Sequence, residues 1–165
     1  MDIKYYDFKT PIGKMIIFFS SKGIIYLGLS DDKGEFIIKC MNQKYGQTRK
    51  VDKCHYSYHN QIIEYLIGKR KKFSLSLDLH GTDFQKKVWM ELLNITYGET
   101  KSYKEIAISI GVPKGYRAVG GALNRNPVII VVPCHRVIGT DGNLVGFGGG
   151  LDLKERLLTL ERENI

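Results

Sequence analysis

Cys134 and His135 stand next to each other in the chain and are the residues best suited to covalent chemistry. A thiolate is a strong nucleophile, but a free thiol with a pKa near ~8.5 is only slightly ionised at neutral pH. An adjacent imidazole can accept the thiol proton, so the pair favours nucleophilic attack with general-base assistance. A second interpretation stays open at this point, because free cysteines are among the most buried residues and Cys134 would also suit a structural core position.

Two further cysteines, Cys40 and Cys54, lie in the first half of the chain. Three cysteines are an odd number, and the N-terminus lacks the basic start and apolar core of a secretory signal, so we expect reduced thiols in a cytoplasmic protein. With His55 and His59 these cysteines are the candidate zinc ligands. They lack the paired Cys-x-x-Cys spacing of structural zinc sites, and we predict no metal.

The composition is that of a folded protein, and its basic charge favours nucleic acid as the partner. The chain has 165 residues, of which 43% are hydrophobic and 25% charged, and its formal net charge is +8. The longest apolar run, 128–133, is far below the ~20 residues of a membrane span, so no membrane helix is expected. A basic protein favours a polyanionic partner. The densest basic run, 69–72, would lie along phosphates or form a solvated turn.

Cys134 also lies within a longer set of recognisable motifs. These are Arg117–Ala122 (RAVGGA), Asn126-Pro127, Pro133–Val137 (PCHRV) and Gly148–Leu151 (GGGL). Together they resemble the O6-alkylguanine-DNA alkyltransferase family, also called the methylated-DNA–protein-cysteine methyltransferases. The resemblance runs from about Phe84 to Glu161, and the first 80 residues match the family only in their predicted layout.

The resemblance implies a single-turnover DNA repair enzyme that needs no cofactor. Cys134 would take the alkyl group from guanine O6 and keep it as a thioether. His135 would activate the thiol through a bridging water, and Glu161 would orient His135. Asn126 would lock the turn before the nucleophile, or would simply form an Asx turn ahead of Pro127. The preferred alkyl size and activity on O4-alkylthymine stay open.

The partner implied by the resemblance is double-stranded DNA that contains O6-alkylguanine, bound through its minor groove by a monomer. The target base must leave the stack before attack. Tyr103 would crowd the phosphate and hydrogen-bond the flipped base, and Arg117 would enter the vacated space. Small residues permit close approach to the groove, and the helix residues assigned to it are Tyr116, Ala118 and Gly120. Tyr116 departs from the small residue usual there.

A glycine-rich loop over 139–150 would close over the alkylated base. It lacks the Gly-Lys-Ser/Thr ending of a phosphate-binding loop, so a nucleotide cofactor is not expected. The resemblance assigns contacts with the base to Val137, Phe147, Gly148 and Gly149. Phe147 and Gly148 stand where many members carry Tyr and Ser, so backbone contacts survive there and hydroxyl contacts do not.

Two other functions fit parts of the sequence. A non-catalytic helix-turn-helix protein would bind alkylated DNA without reacting, and a Cys-His hydrolase would use the same nucleophile repeatedly. Cys134 argues against the first, because alkyltransferase-like sensors replace the nucleophile. A hydrolase does not require a helix that reads DNA.

The elements that must position these residues predict an α/β protein with two domains, 1–80 and 81–165. The first domain is a small antiparallel sheet with helices, a ribonuclease H-like layout. Segments rich in Ile, Phe and Tyr, separated by turn residues, predict strands over Ile3–Phe8, Lys14–Ser20 and Gly23–Ser30. Helical spacing predicts helices over Glu35–Tyr45 and Tyr58–Ile67 that cover one face of the sheet. The segment Phe73–His80 is predicted to be a strand or an extended connector.

The second domain is predicted to be mostly helical and to contain a helix-turn-helix. Thr82 or Asp83 caps its first helix, which extends to Tyr97-Gly98, and Ser102 with Glu105 forms a capping box for the next. Three further elements are predicted: a helix over Tyr116–Arg125, a buried strand over Val128–Val132, and a last helix over Asp152–Glu163 that buries Leu153, Leu157 and Leu160.

Overall fold

The chain divides into two compact units. The computed structural model describes residues 1–147 and 149–165, and the units are Met1–Leu79 and His80–Ile165. The fold is mixed α/β, with a small sheet in the first unit and a mostly helical second unit, which confirms the predicted fold class. No helix within the described ranges is long and apolar enough to cross a membrane.

The first unit is built on a four-stranded sheet with two helices. Its elements are β1 (Lys4–Thr10), β2 (Gly13–Ser20), β3 (Gly23–Leu29), α1 (Gly34–Tyr45), β4 (Arg49–Lys50) and α2 (Tyr58–Leu66). The strand order is β3-β2-β1-β4. Strands β1 to β3 are antiparallel as predicted, and the short β4 adds to β1 in parallel.

Helices α1 and α2 cover opposite faces of this sheet, so the prediction that both cover one face is wrong. Ile16 and Phe18 of β2 pack with Ile37 of α1. On the other face the Tyr6 ring meets the His59 ring of α2 edge-on at 5.4 Å. The reason is visible in β2, where residues 15–19 are apolar without alternation, as in strands that are buried on both sides.

The segment that precedes the second unit is an extended connector. Leu77 forms an isolated parallel bridge with Ile24 of β3, and the main-chain groups of Ser76 and Asp78 hydrogen-bond the same residue. Residues 73–80 therefore rest on the edge of the sheet as a connector with one bridge.

The second unit consists mainly of helices and also contains one very short parallel strand pair. Its elements are α3 (Asp83–Leu92), β5 (Lys101–Ser102), α4 (Tyr103–Ser109), α5 (Tyr116–Asn124), β6 (Val137–Ile138) and α6 (Leu151–Glu163). The indole N–H of Trp89 donates to the Ala122 carbonyl at 2.8 Å and joins α3 to α5. Helices α4 and α5 pack together across the six residues 110–115.

Helix α3 ends earlier than its apolar pattern predicted. Thr82 caps it in a capping box with Gln85, but the helix stops at Leu92 rather than near Tyr97. The next hydrogen bonds run from Asn94 to Glu91 and from Ile95 to Leu92, three residues back. This tightening still buries Ile95, so the apolar spacing continues beyond the end of the helix.

The predicted strand over 128–132 is wrong, because these residues form nested turns. The Val132 N–H donates to the Val128 carbonyl, and within that turn the Val131 N–H donates to Ile129 across Ile130, whose φ is +75°. The hydrogen bond across Ile130 defines a γ-turn. Pro133, with φ −82° and ψ 63°, forms a second γ-turn, of the commoner inverse type. The β-branched run is buried, as predicted, but β-branched residues indicate burial rather than an extended chain here.

Candidate active site

The strand pair β5–β6 brings two distant segments together. Lys101 pairs with Val137 and Ser102 with Ile138. Cys134–Arg136 form a 3₁₀ turn directly before β6, and Tyr103 opens α4 directly after β5. Ser102 caps α4 in a capping box with Glu105, as predicted. The pairing therefore fixes the start of α4 beside the cysteine segment.

Cys134 is buried, and Asn126 holds its sulfur. The side-chain amide of Asn126 donates to Cys134 Sγ at 3.1 Å and to the Val132 carbonyl at 2.8 Å. Its Oδ1 accepts the Val128 N–H at 3.0 Å, which is the Asx turn. Both interpretations of Asn126 therefore hold in the geometry, since one side chain makes the turn and also contacts the thiol.

Burial governs the acidity of the thiol in the empty site. It raises the pKa of Cys134 to about 11, against opposing effects of the Asn126 amide and the Lys154 ammonium. At pH 7 such a thiol is ionised in roughly one molecule in 10,000. The resting group is therefore a thiol, and attack requires a base at the moment of reaction.

His135 lies in a buried hydrogen-bond network with Glu161 of α6. His135 Nε2 and Glu161 Oε2 are 2.7 Å apart, and both side chains are almost completely inaccessible. The Arg136 Nε donates to Glu161 Oε1 at 2.6 Å, and its Nη1 donates to the Ile95 carbonyl at 2.7 Å. Glu161 is thus held from two sides and in turn fixes the ring of His135.

The charge states in this network follow from burial and pairing. Burial lowers the pKa of His135, and Glu161 only partly offsets that effect, so the imidazole is neutral and able to accept a proton. Burial would raise the pKa of Glu161, but the hydrogen bonds from His135 and Arg136 and the charge of Arg136 outweigh it and lower the pKa. The result is an ionised carboxylate beside a neutral base.

Lys154 of α6 places a buried positive charge near the thiol. Its Nζ donates to the carbonyls of Val137 and Val145, the latter at 2.9 Å, and lies 5.9 Å from the centre of the Tyr103 ring. Burial lowers the pKa of Lys154, while the Cys134 thiolate would raise it. An ammonium here stabilises negative charge on sulfur.

Tyr103 contacts the glycine-rich loop in this structure. Its hydroxyl donates to the Val145 carbonyl at 2.7 Å and approaches Gly146 at 3.4 Å. Burial, and then the charge of a Cys134 thiolate, raise the pKa of Tyr103. Its hydroxyl would have to leave Val145 to bond a base.

The residues assigned to the DNA groove lie apart from the thiol network, along α5. Arg117 and Ala118 are exposed, and Tyr116 is 47% exposed. Gly120 is half-buried and faces Tyr103, where an added Cβ would lie 3.8 Å from the ring. Helix α5 therefore presents one arginine, one tyrosine and small residues to solvent.

The structure describes three of the four residues that were assigned contacts with the base. Val137 is buried and its carbonyl faces Lys154, whereas Phe147 is half-buried. A Cβ on Gly149 would come within 2.8 Å of Leu153 Cδ2 and 3.0 Å of the Phe147 ring, so a larger residue there would displace the Leu153 side chain. Gly148 lies outside the described residues.

Arg136 and Lys154 are the site residues that sequence reasoning missed. Arg136 stood inside the quoted PCHRV motif without a role. A signal existed for Lys154: it lies seven residues before Glu161, with Leu157 and Leu158 between them, so two charges share the apolar face of α6. Leu160, predicted on that face, is only half-buried because the buried face is rotated towards Leu158.

Comparison with known proteins gives one family for both units. Residues 3–79 match the model of the 6-O-methylguanine DNA methyltransferase ribonuclease-like domain, and residues 83–163 match that of its DNA-binding domain. A methylated-DNA–protein-cysteine methyltransferase from Methanosarcina barkeri is 46% identical over 98% of this chain and 99% of its own. The chain belongs to this methyltransferase family.

Solved members of the family share the fold. Mycobacterium tuberculosis OGT in complex with DNA superposes with a TM-score of 0.85 at 38% identity, covering 98% of this chain and 94% of that chain. An O6-methylguanine-DNA methyltransferase from Pyrococcus kodakaraensis gives a TM-score of 0.71 at 27% identity, covering 96% and 98%.

Proposed function

We propose that this chain repairs O6-alkylguanine in double-stranded DNA by moving the alkyl group onto Sγ of Cys134. The observation that carries the proposal is the buried network in which Asn126 contacts the thiol and Glu161 holds His135. A nucleophile, an adjacent base and a carboxylate that orients the base are the groups that thiol alkylation needs. Their occurrence in a chain of this methyltransferase family supports the assignment.

The reaction balances without a cofactor. Cys134 gives its proton to His135, at Nδ1, because Nε2 is engaged by Glu161. The sulfur attacks the alkyl carbon, the bond from that carbon to guanine O6 breaks, and its electron pair stays on the base. Guanine takes up one proton at N1. An S–H bond and an O–C bond are broken, and an S–C bond and an N–H bond are formed. Water does not remove the alkyl group from the thioether, so the thiol is not regenerated.

Lys154 and Tyr103 support this step from the other side of the thiol. The ammonium of Lys154 stabilises the developing thiolate, because its opposite charge lies in a water-poor site. The Tyr103 hydroxyl, now donated to Val145, is free to turn to the base once a guanine displaces the loop. The main-chain groups of Val137, Phe147 and Gly149 then line the base.

We further propose that α4 and α5 act as a helix-turn-helix whose second helix enters the minor groove. The exposed small residue Ala118 and the half-buried Gly120 allow close approach, and the exposed Tyr116 adds a sugar contact. Arg117 fills the space left by the flipped base, since its planar guanidinium stacks well. We expect a monomer that acts in the cytoplasm.

One experiment tests the reaction directly. After incubation with an oligonucleotide duplex that contains O6-methylguanine, the peptide with Cys134 should gain about 14 Da, a methyl group replacing one hydrogen. The molar yield should not exceed one methyl group per protein. Turnover beyond one equivalent would favour a hydrolase, and a methyl group on Cys40 or Cys54 would refute Cys134 as nucleophile. Binding without any adduct would favour a non-catalytic sensor.

A further inference from the structure

Beside β1 the first unit contains an open groove that the reaction does not use. Its volume is ≈ 770 Å³, and it is lined by residues 6–9 of β1, Lys14 of β2 and residues 50–53 at and after β4. Four lysines face two aspartates along it. We call it the lysine groove, after Lys9, Lys14, Lys50 and Lys53.

The groove exists because β4 is shorter than β1. Strand β4 pairs with Lys4 and Tyr5, and the Val51 N–H makes the last hydrogen bond, to the Tyr5 carbonyl at 2.9 Å. The chain then turns away at Asp52, which caps a 3₁₀ turn. Main-chain groups alternate in direction along a strand, so those of Asp7 and Lys9 point towards the groove, as those of Tyr5 do towards β4.

The groove carries an unbalanced positive charge. The Asp7 carboxylate pairs with Lys14 Nζ at 3.2 Å, and the Asp52 carboxylate accepts the Cys54 N–H at 2.9 Å, so four lysines against two aspartates leave an excess of two positive charges. Lys9, Lys50 and Lys53 are exposed, and within the described parts of the chain they form no ion pair. Three ammonium groups on two walls therefore remain available to an anion.

The walls stand on a rigid floor. Tyr6 and Phe8 are buried, and the Tyr6 hydroxyl and His59 Nδ1 are 3.0 Å apart. Lysines on an edge strand also discourage pairing with another strand. Protection of the sheet edge accounts for Lys9 and Lys50. It does not account for Lys14, which lies on the central strand β2, or for Lys53, which lies beyond the sheet. Convergence from three elements favours a bound anion.

We propose that the lysine groove binds the phosphate backbone of DNA as a second contact, separate from α5. A chain of regularly spaced phosphates meets ammonium groups on both walls, whereas a single phosphate ion meets only one wall. The choice of DNA as the polyanion rests on the proposed function. Most of the basic excess of the protein also lies in this unit, since residues 1–79 hold 14 Lys and Arg against 8 Asp and Glu.

Two variants of equal charge test the proposal. K9E/K50E/K53E reverses the unpaired lysines of the groove, and K22E/K33E/K39E reverses three exposed lysines of the same unit outside it. Both change the net charge equally, so a difference between them reports position rather than overall attraction. The readout is the affinity for undamaged duplex DNA as a function of salt.

We expect the groove variant to reduce the slope of log affinity against log salt by about 2 to 3, since each lost phosphate contact removes ~0.9. The control variant should change the slope by less than about 1. Equal slopes in the two variants would overturn the proposal. Weaker binding of the groove variant to a polyglutamate peptide, with DNA binding unchanged, would also overturn it in favour of an acidic protein partner.

A second measurement uses the unmodified protein and so does not depend on the folding of a variant. Acetylation of lysines, read by mass spectrometry, should slow at least threefold at Lys9, Lys50 and Lys53 when undamaged duplex is added. Lys22 and Lys39 should react unchanged. Lack of protection in the groove would overturn the proposal. Methyl transfer to Cys134 from a duplex that contains O6-methylguanine is measured in parallel, and its failure would refute the proposed function instead.

Discussion

The nucleophile is the residue whose environment is most at odds with its task. Burial leaves Cys134 protonated in the empty protein, although the proposed reaction requires a thiolate. Three neighbouring groups oppose the effect of burial: the Asn126 amide, the Lys154 ammonium and the main-chain N–H of His135. Reactivity is therefore coupled to a correctly placed alkyl group, and unspecific alkylating agents meet a thiol.

This coupling predicts the pH dependence of an unspecific reaction. Because the pKa of Cys134 is about 11, its thiolate fraction rises about tenfold per pH unit below that value. The rate of carboxamidomethylation of Cys134 by iodoacetamide, measured by peptide mass spectrometry, should therefore still be rising between pH 8 and pH 10. In urea the rate for the same thiol should level off above pH ~8.5, the ordinary pKa of a cysteine. A plateau near pH 8 in the native protein would contradict the buried, protonated thiol.

Arg136 should control the acid stability of the protein. Its charge helps to lower the pKa of Glu161, so the stabilisation from this carboxylate is present above the pKa of unfolded glutamate and lost as pH falls through the folded value. Arg136→Met raises the folded pKa, so the loss begins at higher pH. We expect a cost of about 3 kcal/mol at pH 7, as for other broken buried pairs, and an acid-unfolding midpoint at higher pH.

Urea unfolding at several pH values measures both effects. Arg162→Met, at an exposed position of the same helix, is the matched control and should leave the acid midpoint unchanged. An unchanged midpoint in Arg136→Met would mean that His135 alone keeps Glu161 ionised.

Among the elements, the turns at 128–133 do most to place the nucleophile. The γ-turn at Ile130 forces a β-branched residue to a φ of +75°, a conformation that such residues rarely adopt. The side chain is nevertheless completely buried. Packing of the side chain thus holds a strained backbone four residues before Cys134.

The strain predicts an inverted order of two substitutions. Ile130→Ala and Ile130→Gly both remove the buried side chain and should cost several kcal/mol. At most positions glycine is worse than alanine by about 0.5–1 kcal/mol. At a positive φ the order reverses, so Ile130→Gly should be more stable than Ile130→Ala by about 1 kcal/mol in urea unfolding. The same pair at Val119 of α5 should show the ordinary order.

Helix α5 should act on duplex DNA and not on a free base. Arg117→Ala should slow transfer from a methylated duplex by tenfold or more, since unstacking costs a few kcal/mol and ~1.4 kcal/mol is tenfold in rate. Transfer from free O6-benzylguanine should stay within about twofold. Arg125→Ala, at the exposed C-cap of the same helix, should affect the duplex far less. Equal slowing of duplex and free base would assign Arg117 to the pocket.

Local signals made much of the fold readable from the sequence. Ser102 was correctly predicted as a helix cap and Thr82 was one of two predicted candidates, because a cap depends on side chains a few residues apart. The turns at 128–133 could not be read, since a buried β-branched run fits a strand and nested turns equally. The resemblance pointed to Cys134, His135 and Glu161, but Arg136 and Lys154 acquire roles only through contacts that span tens of residues.

At the scale of the molecule, chemistry and charge are divided between the two units. The thiol network and α5 belong to the second unit, whereas the first holds most of the excess of lysine and arginine. Long-range attraction to DNA is a property of the summed charge, while attack depends on a few buried groups. Binding and reaction should therefore separate experimentally.

Cys134→Ser tests that separation. The variant should lose methyl transfer but bind a methylated duplex within about threefold of the original protein, because α5 and the lysines are unchanged. Affinity measured by fluorescence anisotropy should fall steeply between 50 mM and 200 mM salt as counterions are released. Affinity that does not depend on salt would contradict binding through phosphates.

Lys154 and Glu161 share one face of α6, and this has a consequence for the order in which the protein is made. Synthesis reaches Cys134 and His135 before either charged partner, so a chain translated only to residue 150 has its nucleophile and base but lacks the carboxylate that orients the base and the ammonium near the thiol. The proposed reaction consumes each molecule once. Placing Lys154 and Glu161 downstream of the thiol means that the proposed transfer from guanine cannot begin until α6 has been made.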